Sequence, residues 1–322
     1  MKHLKQFLSL FVLIVATVWS ANATDVLGNQ DPKKEKRTTD APFEQVIVEG
    51  NFIVNITYAI RCDIEVDAES NLHEYILTEA KGKTLNVKVA KKVKLVPNMP
   101  MTINITMPLI TKLQYDGEGE VSLMSVPTSK FEITLSGICK CTMNNVSTTA
   151  MKATFSNSCT VLCKDVIGGD TKMVFNDKST CMLDHFTASK FNLTAATINP
   201  IKFDGLSAET LTLTSNSTGA IDFKAMALAK ELSAKVTDAS VITATGTAPS
   251  IVIESTGSGN IDASGVSNEK SKIANNGSAT VKVSPTGSLD VVLGKTGSVE
   301  YKNRPKIKLE NSGSGQLINK NL

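Results

Sequence analysis

The sequence predicts an all-β chain folded as a parallel β-helix, a β-solenoid of about eleven rungs with repeats of roughly 20 residues. Three observations carry this. Apolar residues stand at Val121, Cys141, Val161, Cys181, Ile201, Ile221, Val241, Ile261, Val281, Val299 and Leu317, twenty residues apart and then eighteen in the last two steps. Each repeat contains short segments in which apolar and polar residues alternate, the period-two signature of a half-buried strand. Aromatics make up only 5% of the chain, which is rich in Thr, Ser, Val, Ile, Asn and Gly, the residues of short strands and tight corners. One such unit cannot bury its apolar face alone, so the repeats must stack.

Taken in order, residues 1–23 read as a secretory signal peptide. Lys2 and Lys5 precede the apolar run 7–18, and Ala21-Asn22-Ala23 offers a small-x-small cleavage site. That run is too short for a hydrocarbon core needing about 20 residues, and no later run is longer, so the mature chain is expected to have no membrane span. Residues 24–42, with Lys33, Lys34, Lys36 and Arg37, read as a disordered basic linker. Residues 43–108 alternate in VIVEGNFIVNI, CDIEV, LNVKV and TINITMP but lack the twenty-residue clock, and Gly82, Pro97, Pro100 and Pro108 divide them. A β-rich N-terminal cap or a set of wider first coils is expected there, with a helical turn possible between Asn71 and Thr78.

The solenoid proper is assigned to residues 109–322. In its rung SKFEITLSGICKCTMNNV, Phe131, Ile133 and Leu135 form one strand, and after Ser136-Gly137 the residues Cys139, Cys141 and Met143 form a second. A second ladder runs from Leu113 and Ile133 to Val291 and Leu309, and a third from Leu123 and Met143 through Thr243 to Tyr301. A small residue two places before each first-ladder position, such as Gly119, Cys139, Ala239 or Gly259, marks a tight corner. Leu232, Ala234 and Val236 lie one residue out of phase, which predicts a bulge or altered corner. Both open ends need protection, and Asn319, Lys320 and Asn321 supply polar residues at the C-terminal one.

Composition narrows the functional classes. A net charge of +3 without a basic, aromatic-interleaved stripe argues against nucleic acid as a partner. The six cysteines do not form an evident disulfide framework, because Cys139, Cys141, Cys159, Cys163 and Cys181 stand where other rungs carry small or aliphatic residues. A Cys139–Cys159 bridge between neighbouring rungs is the alternative, since rungs ~4.8 Å apart come close to disulfide geometry. No cysteine or histidine spacing suggests zinc, and Gly168-Gly169-Asp170 occurs once, as a turn, without the repeated calcium motif of nonapeptide β-helices. No cofactor or metal is expected.

The candidate site residues are Asp184, His185 and Asp204. Asp184 and Asp204 occupy the same position one rung apart, and paired carboxylates serve general acid/base work on glycosides. Lys164 and Lys224 flank them in the same outward row, so a charge-compensated surface row Lys-Asp-Asp-Lys accounts for them without chemistry. The single Trp lies in the export signal, leaving no Trp platform for sugar stacking.

The passages FEQVIVEGNFIVNI, Gly82-Lys83-Thr84-Leu85, TINITMPLITKLQYDGEGEV and GSVEYKNRPKIKLENSGSGQL resemble the family of exported bacterial proteins called putative auto-transporter adhesin, head GIN domain. The resemblance covers nearly the whole mature chain and implies a secreted β-solenoid; it supplies no catalytic residues. The expected role is therefore a non-enzymatic adhesion or binding module, exported to the periplasm, outer surface or extracellular space, with a surface glycan or another cell-envelope protein as partner. The alternative is a carbohydrate-active enzyme, a polysaccharide lyase or hydrolase on a β-helix scaffold.

Overall fold

A computed structural model describes residues 23–39, 41–125 and 127–321. The predicted export signal, apart from Ala23, lies outside the described residues. The expected parallel β-solenoid is the architecture observed. The Lys112–Met124 strand lies in parallel register on Lys130–Asn144, with Leu113 over Ile133 and Val121 over Cys141, and this spacing continues down the rod.

Each rung has three sides in the middle of the rod, where two alternating segments were expected. One side carries the Leu113 column and a second the Val121 column. A third carries Val146, Val166, Phe186, Leu206, Met226 and Val266, all buried. Between the second and third sides the chain turns through a left-handed residue, with φ of 52° at Asn145, 53° at Asp165, 54° at His185 and 50° at Ala225. Asn and Asp tolerate this conformation through local hydrogen bonding. This third column keeps the same offset of twenty, interrupted only by Gly246, so the repeat rule that gives the other two ladders also reaches it, although it was not singled out in the sequence.

The columns fill the interior. Leu113, Ile133, Ala153, Leu193 and Ile273 are buried, and so are Val121, Cys141, Val161, Ile201 and Val281. Phe203 and Phe223 stack with ring centroids 4.9 Å apart, and Phe155 and Phe175 do the same. The corner glycines are set by close approach: Gly137 has φ 96°, and a Cβ there would stand 2.1 Å from the Gly117 carbonyl oxygen.

The phase slip near Leu232 is present. Ala208 pairs with Leu228, yet Thr210 pairs with Glu231, so one extra residue enters the rung. That insertion corrects three ladder assignments. Ile242 occupies the first ladder between Ile221 and Ile261, while Val241 is 46% exposed. Ala244 and Ser240 likewise replace Thr243 and Ala239 at the buried positions. Register returns between Phe223 and Met226, where Met226 pairs with Gly246.

The five clustered cysteines are buried and unbridged, as is expected of small apolar residues. Burial pushes the Cys141 thiol up to about 12 and raises Cys163 and Cys181 as well, so none of these three is a nucleophile at neutral pH. Cys139 and Cys159 stack with their Sγ atoms 2.8 Å apart, and this hydrogen-bonded contact, with burial, raises the Cys139 thiol.

At the N-terminal end, residues 43–108 are both coil and cap. Gln45–Glu49 and Ile53–Tyr58 form a coil directly on Lys112–Met124, and Thr84–Val89 with Thr102–Met107 form the next coil outward. Antiparallel strands then close this end, with Ile76–Lys81 on Thr84–Val89 and Asp63–Glu69 on Thr102–Met107. A single 3-10 turn, His73–Tyr75, joins them where a helical turn was expected.

Within residues 24–42, expected to be a disordered linker, the described residues form two strands. Thr24–Leu27 pairs in parallel with Val93–Val96, and Pro32–Arg37 pairs antiparallel with Asp63–Glu69. Lys34 is held because its strand lies on an acidic one, with Nζ 3.5 Å from Asp67 and 3.8 Å from Glu65, while Arg37 pairs at 3.0 Å with Glu35 of its own strand. Glu69 fixes the connection from beneath. Its buried carboxylate accepts hydrogen bonds from the Gln30 N–H at 2.6 Å, the Asn98 N–H at 2.8 Å, the Asn98 side chain at 3.2 Å and the Met99 N–H at 3.4 Å.

Candidate functional site

The structure brings the three candidate residues together. Lys164, Asp184, Asp204 and Lys224 lie in register on successive rungs, one outward row at the end of the second side. The next residue along the chain is the left-handed corner, and it projects His185 beside the row. His185 Nδ1 stands 3.3 Å from Asp184 and 3.4 Å from Asp165. Lys224 Nζ stands 3.7 Å from Asp204 and 3.9 Å from Asp222.

Asp165 and Asp222 were not singled out in the sequence, although Asp165 stands twenty residues before His185 and the same repeat rule would have found it. Each aspartate among Asp165, Asp184 and Asp204 has a side chain between 43% and 49% exposed, and His185 is 68% exposed. Water therefore screens all of these pairs. A glycosidase acid works in a site that excludes water, and these half-exposed carboxylates, with lysines in the same outward row, are not shielded in that way. Among the described residues, no group of three or more His, Cys, Asp or Glu side chains is arranged to hold a metal ion.

The rest of the second side repeats this pattern of compensated charge. Asp262 pairs with Lys282 at 3.8 Å one rung on, and Glu300 with Lys320 at 3.6 Å. On the first side, Glu132 and Lys152 pair at 3.2 Å, and the adjacent outward row carries Thr134, Thr154, Val174, Thr194 and Thr214. What the walls offer is regularly spaced hydroxyl, amide and paired ionic groups. Such a surface suits recognition of an extended polar ligand.

The chain belongs to the family described as "putative auto-transporter adhesin, head GIN domain", whose sequence pattern matches residues 42–172 and 186–305. No curated protein matches it. Among solved structures, it is similar to one described as a putative lipid binding protein from Parabacteroides distasonis ATCC 8503, at 14% identity and TM-score 0.56, over 92% of this chain and 99% of that one. It is also similar to a putative adhesin from Parabacteroides merdae ATCC 43184, at 16% identity and TM-score 0.37, over 92% and 99%. A third, a putative adhesin from Bacteroides fragilis NCTC 9343, aligns at 17% identity and TM-score 0.31, over 91% and 99%. These likenesses concern the fold.

Proposed function

We propose that this protein is an exported, non-enzymatic binding module of the cell envelope, whose solenoid walls engage an extended surface glycan. The observation that carries this reading is the outward row Lys164, Asp184, Asp204 and Lys224. The acids that came nearest to a catalytic pair are solvated and flanked by lysines in register, as a surface row would be and a general acid would not. Membership of an adhesin-named family supports it. So do the Thr134–Thr154 and Thr194–Thr214 pairs and the ionic pairs between neighbouring rungs, each spanning one ~4.8 Å step, which present polar groups to a polymer lying along the walls. Export rests on the charged, apolar and small-residue pattern of residues 1–23.

The test pairs a glycan array with a polysaccharide depolymerisation screen on the purified protein, and adds liposomes because one fold relative is described as lipid binding. Saturable binding to a glycan class without any chain cleavage is the expected result. Cleavage of a polysaccharide, abolished by Asp184→Asn or Asp204→Asn, would overturn it in favour of the enzyme. Binding confined to liposomes would replace the glycan with a lipid surface.

A further inference from the structure

Residues 306–319 form the outermost rung of the described residues at the C-terminal end. Ile307 and Leu309 continue the columns of Leu289 and Val291 in register, and Leu317 continues that of Val299. Leu289, Val291 and Val299 are buried, whereas Ile307 is 45% and Leu309 46% exposed. These side chains point inward and lack only a further rung. Among the described residues, Lys306–Asn311 pairs only with Pro285–Leu293, and Gln316–Asn319 only with Ser298–Tyr301. The outer edge of each strand therefore presents free N–H and C=O groups beside an apolar floor, an arrangement that recruits another strand.

We propose that this end is the interface of a closed dimer, in which the Lys306–Asn311 strand pairs antiparallel with the same strand of a second copy. The strand is self-complementary in that arrangement. With the two-fold axis at Leu309, Lys308 faces Glu310 of the second copy and Glu310 faces its Lys308. Leu309 meets its own counterpart, and Ile307 reaches it diagonally. Lys308 and Glu310 already approach within 3.1 Å in one chain, with side chains 70% and 62% exposed, so the charges are free to exchange partners.

Head-to-tail stacking is disfavoured by the opposite end. There the outermost coil is covered by antiparallel strands, and Pro32–Arg37 at that margin carries Lys33, Lys34, Lys36 and Arg37. Pro and Lys on an edge discourage pairing, and these cations would meet Lys306 and Lys308 as like charges. A two-fold contact between C-terminal ends closes on itself, so a dimer forms and a filament does not.

Sedimentation velocity of the purified protein over a wide concentration range tests this. Wild type is expected to approach twice the chain mass as concentration rises. Leu309→Lys should sediment as a single chain with its circular dichroism unchanged. Lys308→Glu should weaken association about tenfold or more by setting Glu against Glu, and Lys308→Glu with Glu310→Lys should restore it. The charge swap remains decisive if Leu309→Lys fails to fold, because both of its positions are exposed. A single-chain mass at every concentration would overturn the proposal and leave this edge to a different partner. A dimer unaffected by either substitution, or an open series of larger species, would also overturn it.

Discussion

At its N-terminal end the rod is roofed by its own chain, while at its C-terminal end the same columns run out into solvent. The roof consists of antiparallel strands laid on the outermost coil, with a charged strand beyond them and Glu69 beneath the connection. The open end has the ladder residues of any interior rung and nothing laid over them. Exposure of Leu309 is thus a property of its place in the stack, since a residue of the same kind in the same column one rung earlier is sealed. Capping here therefore comes from added antiparallel strands. Polar residues do follow the last rung, as expected, yet Asn319, Lys320 and Asn321 leave the apolar floor uncovered.

A charge placed in one column at two depths should separate the two ends most strongly. Val291→Lys buries an ammonium with no designed partner and should cost several kcal/mol, roughly 3–5, while Leu309→Lys in dilute protein should lie within about 1 kcal/mol of wild type. Midway along the rod, Ile221→Asp should match the first and Thr212→Asp, on the exposed outer face, the second. Thermal melts that showed equal losses within either pair would mean that the columns have been misassigned.

The N-terminal roof gives a smaller, local effect. Burial alone would raise the Glu69 carboxyl, but the hydrogen bonds from Gln30, Asn98 and Met99 outweigh it and hold the group below the usual carboxylate range. A lowered folded value means that the stabilisation is complete above the unfolded pKa, near ~4.3, and is lost as pH falls through the folded value. The protection of residues 24–37 against hydrogen exchange, relative to the intrinsic rate at each pH, should therefore fall in acid before that of the solenoid strands. Glu69→Gln should lower this protection already at neutral pH and flatten its acid dependence, leaving the melt of the rod in place. If Glu69→Gln exchanged like wild type at both pH values, the carboxylate would not be what fastens this end.

The same two ends show what the sequence made legible. Repeats declare themselves, because each column recurs at a fixed offset; the two-sided apolar pattern, the Asp184–Asp204 pairing and the slip at Leu232 all followed from counting. Pairings that cross the repeat do not. Glu69 works through backbone groups of residues 30, 98 and 99, and Lys34 meets Glu65 and Asp67, so a basic stretch that looked unpartnered is a strand. The coil of residues 84–107 stacks outside that of residues 45–58, an inversion that no periodicity announces. Ile242 escaped for a related reason: one inserted residue moved the buried phase while Val241 kept the count. At the candidate site, the corner conformation that swings His185 toward Asp165 is a backbone property, and only the offset of twenty hinted at their meeting.

The smallest expected effect lies on the wall between the two ends, where the row of charges is half exposed. Asp204 has Lys224 3.7 Å away, and Lys224 has Asp222 as a second partner at 3.9 Å, so Asp204→Asn leaves the lysine paired. The substitution also removes a like-charge contact, because Asp184 lies directly opposite Asp204 in the neighbouring rung. The gain and the loss are each small and screened, and the net change should fall within ~0–1 kcal/mol. Melts of wild type and Asp204→Asn should therefore nearly coincide, and should draw closer still as salt is added. A large loss of stability that persists at high salt would show that the row holds rungs together and that the wall is not passive.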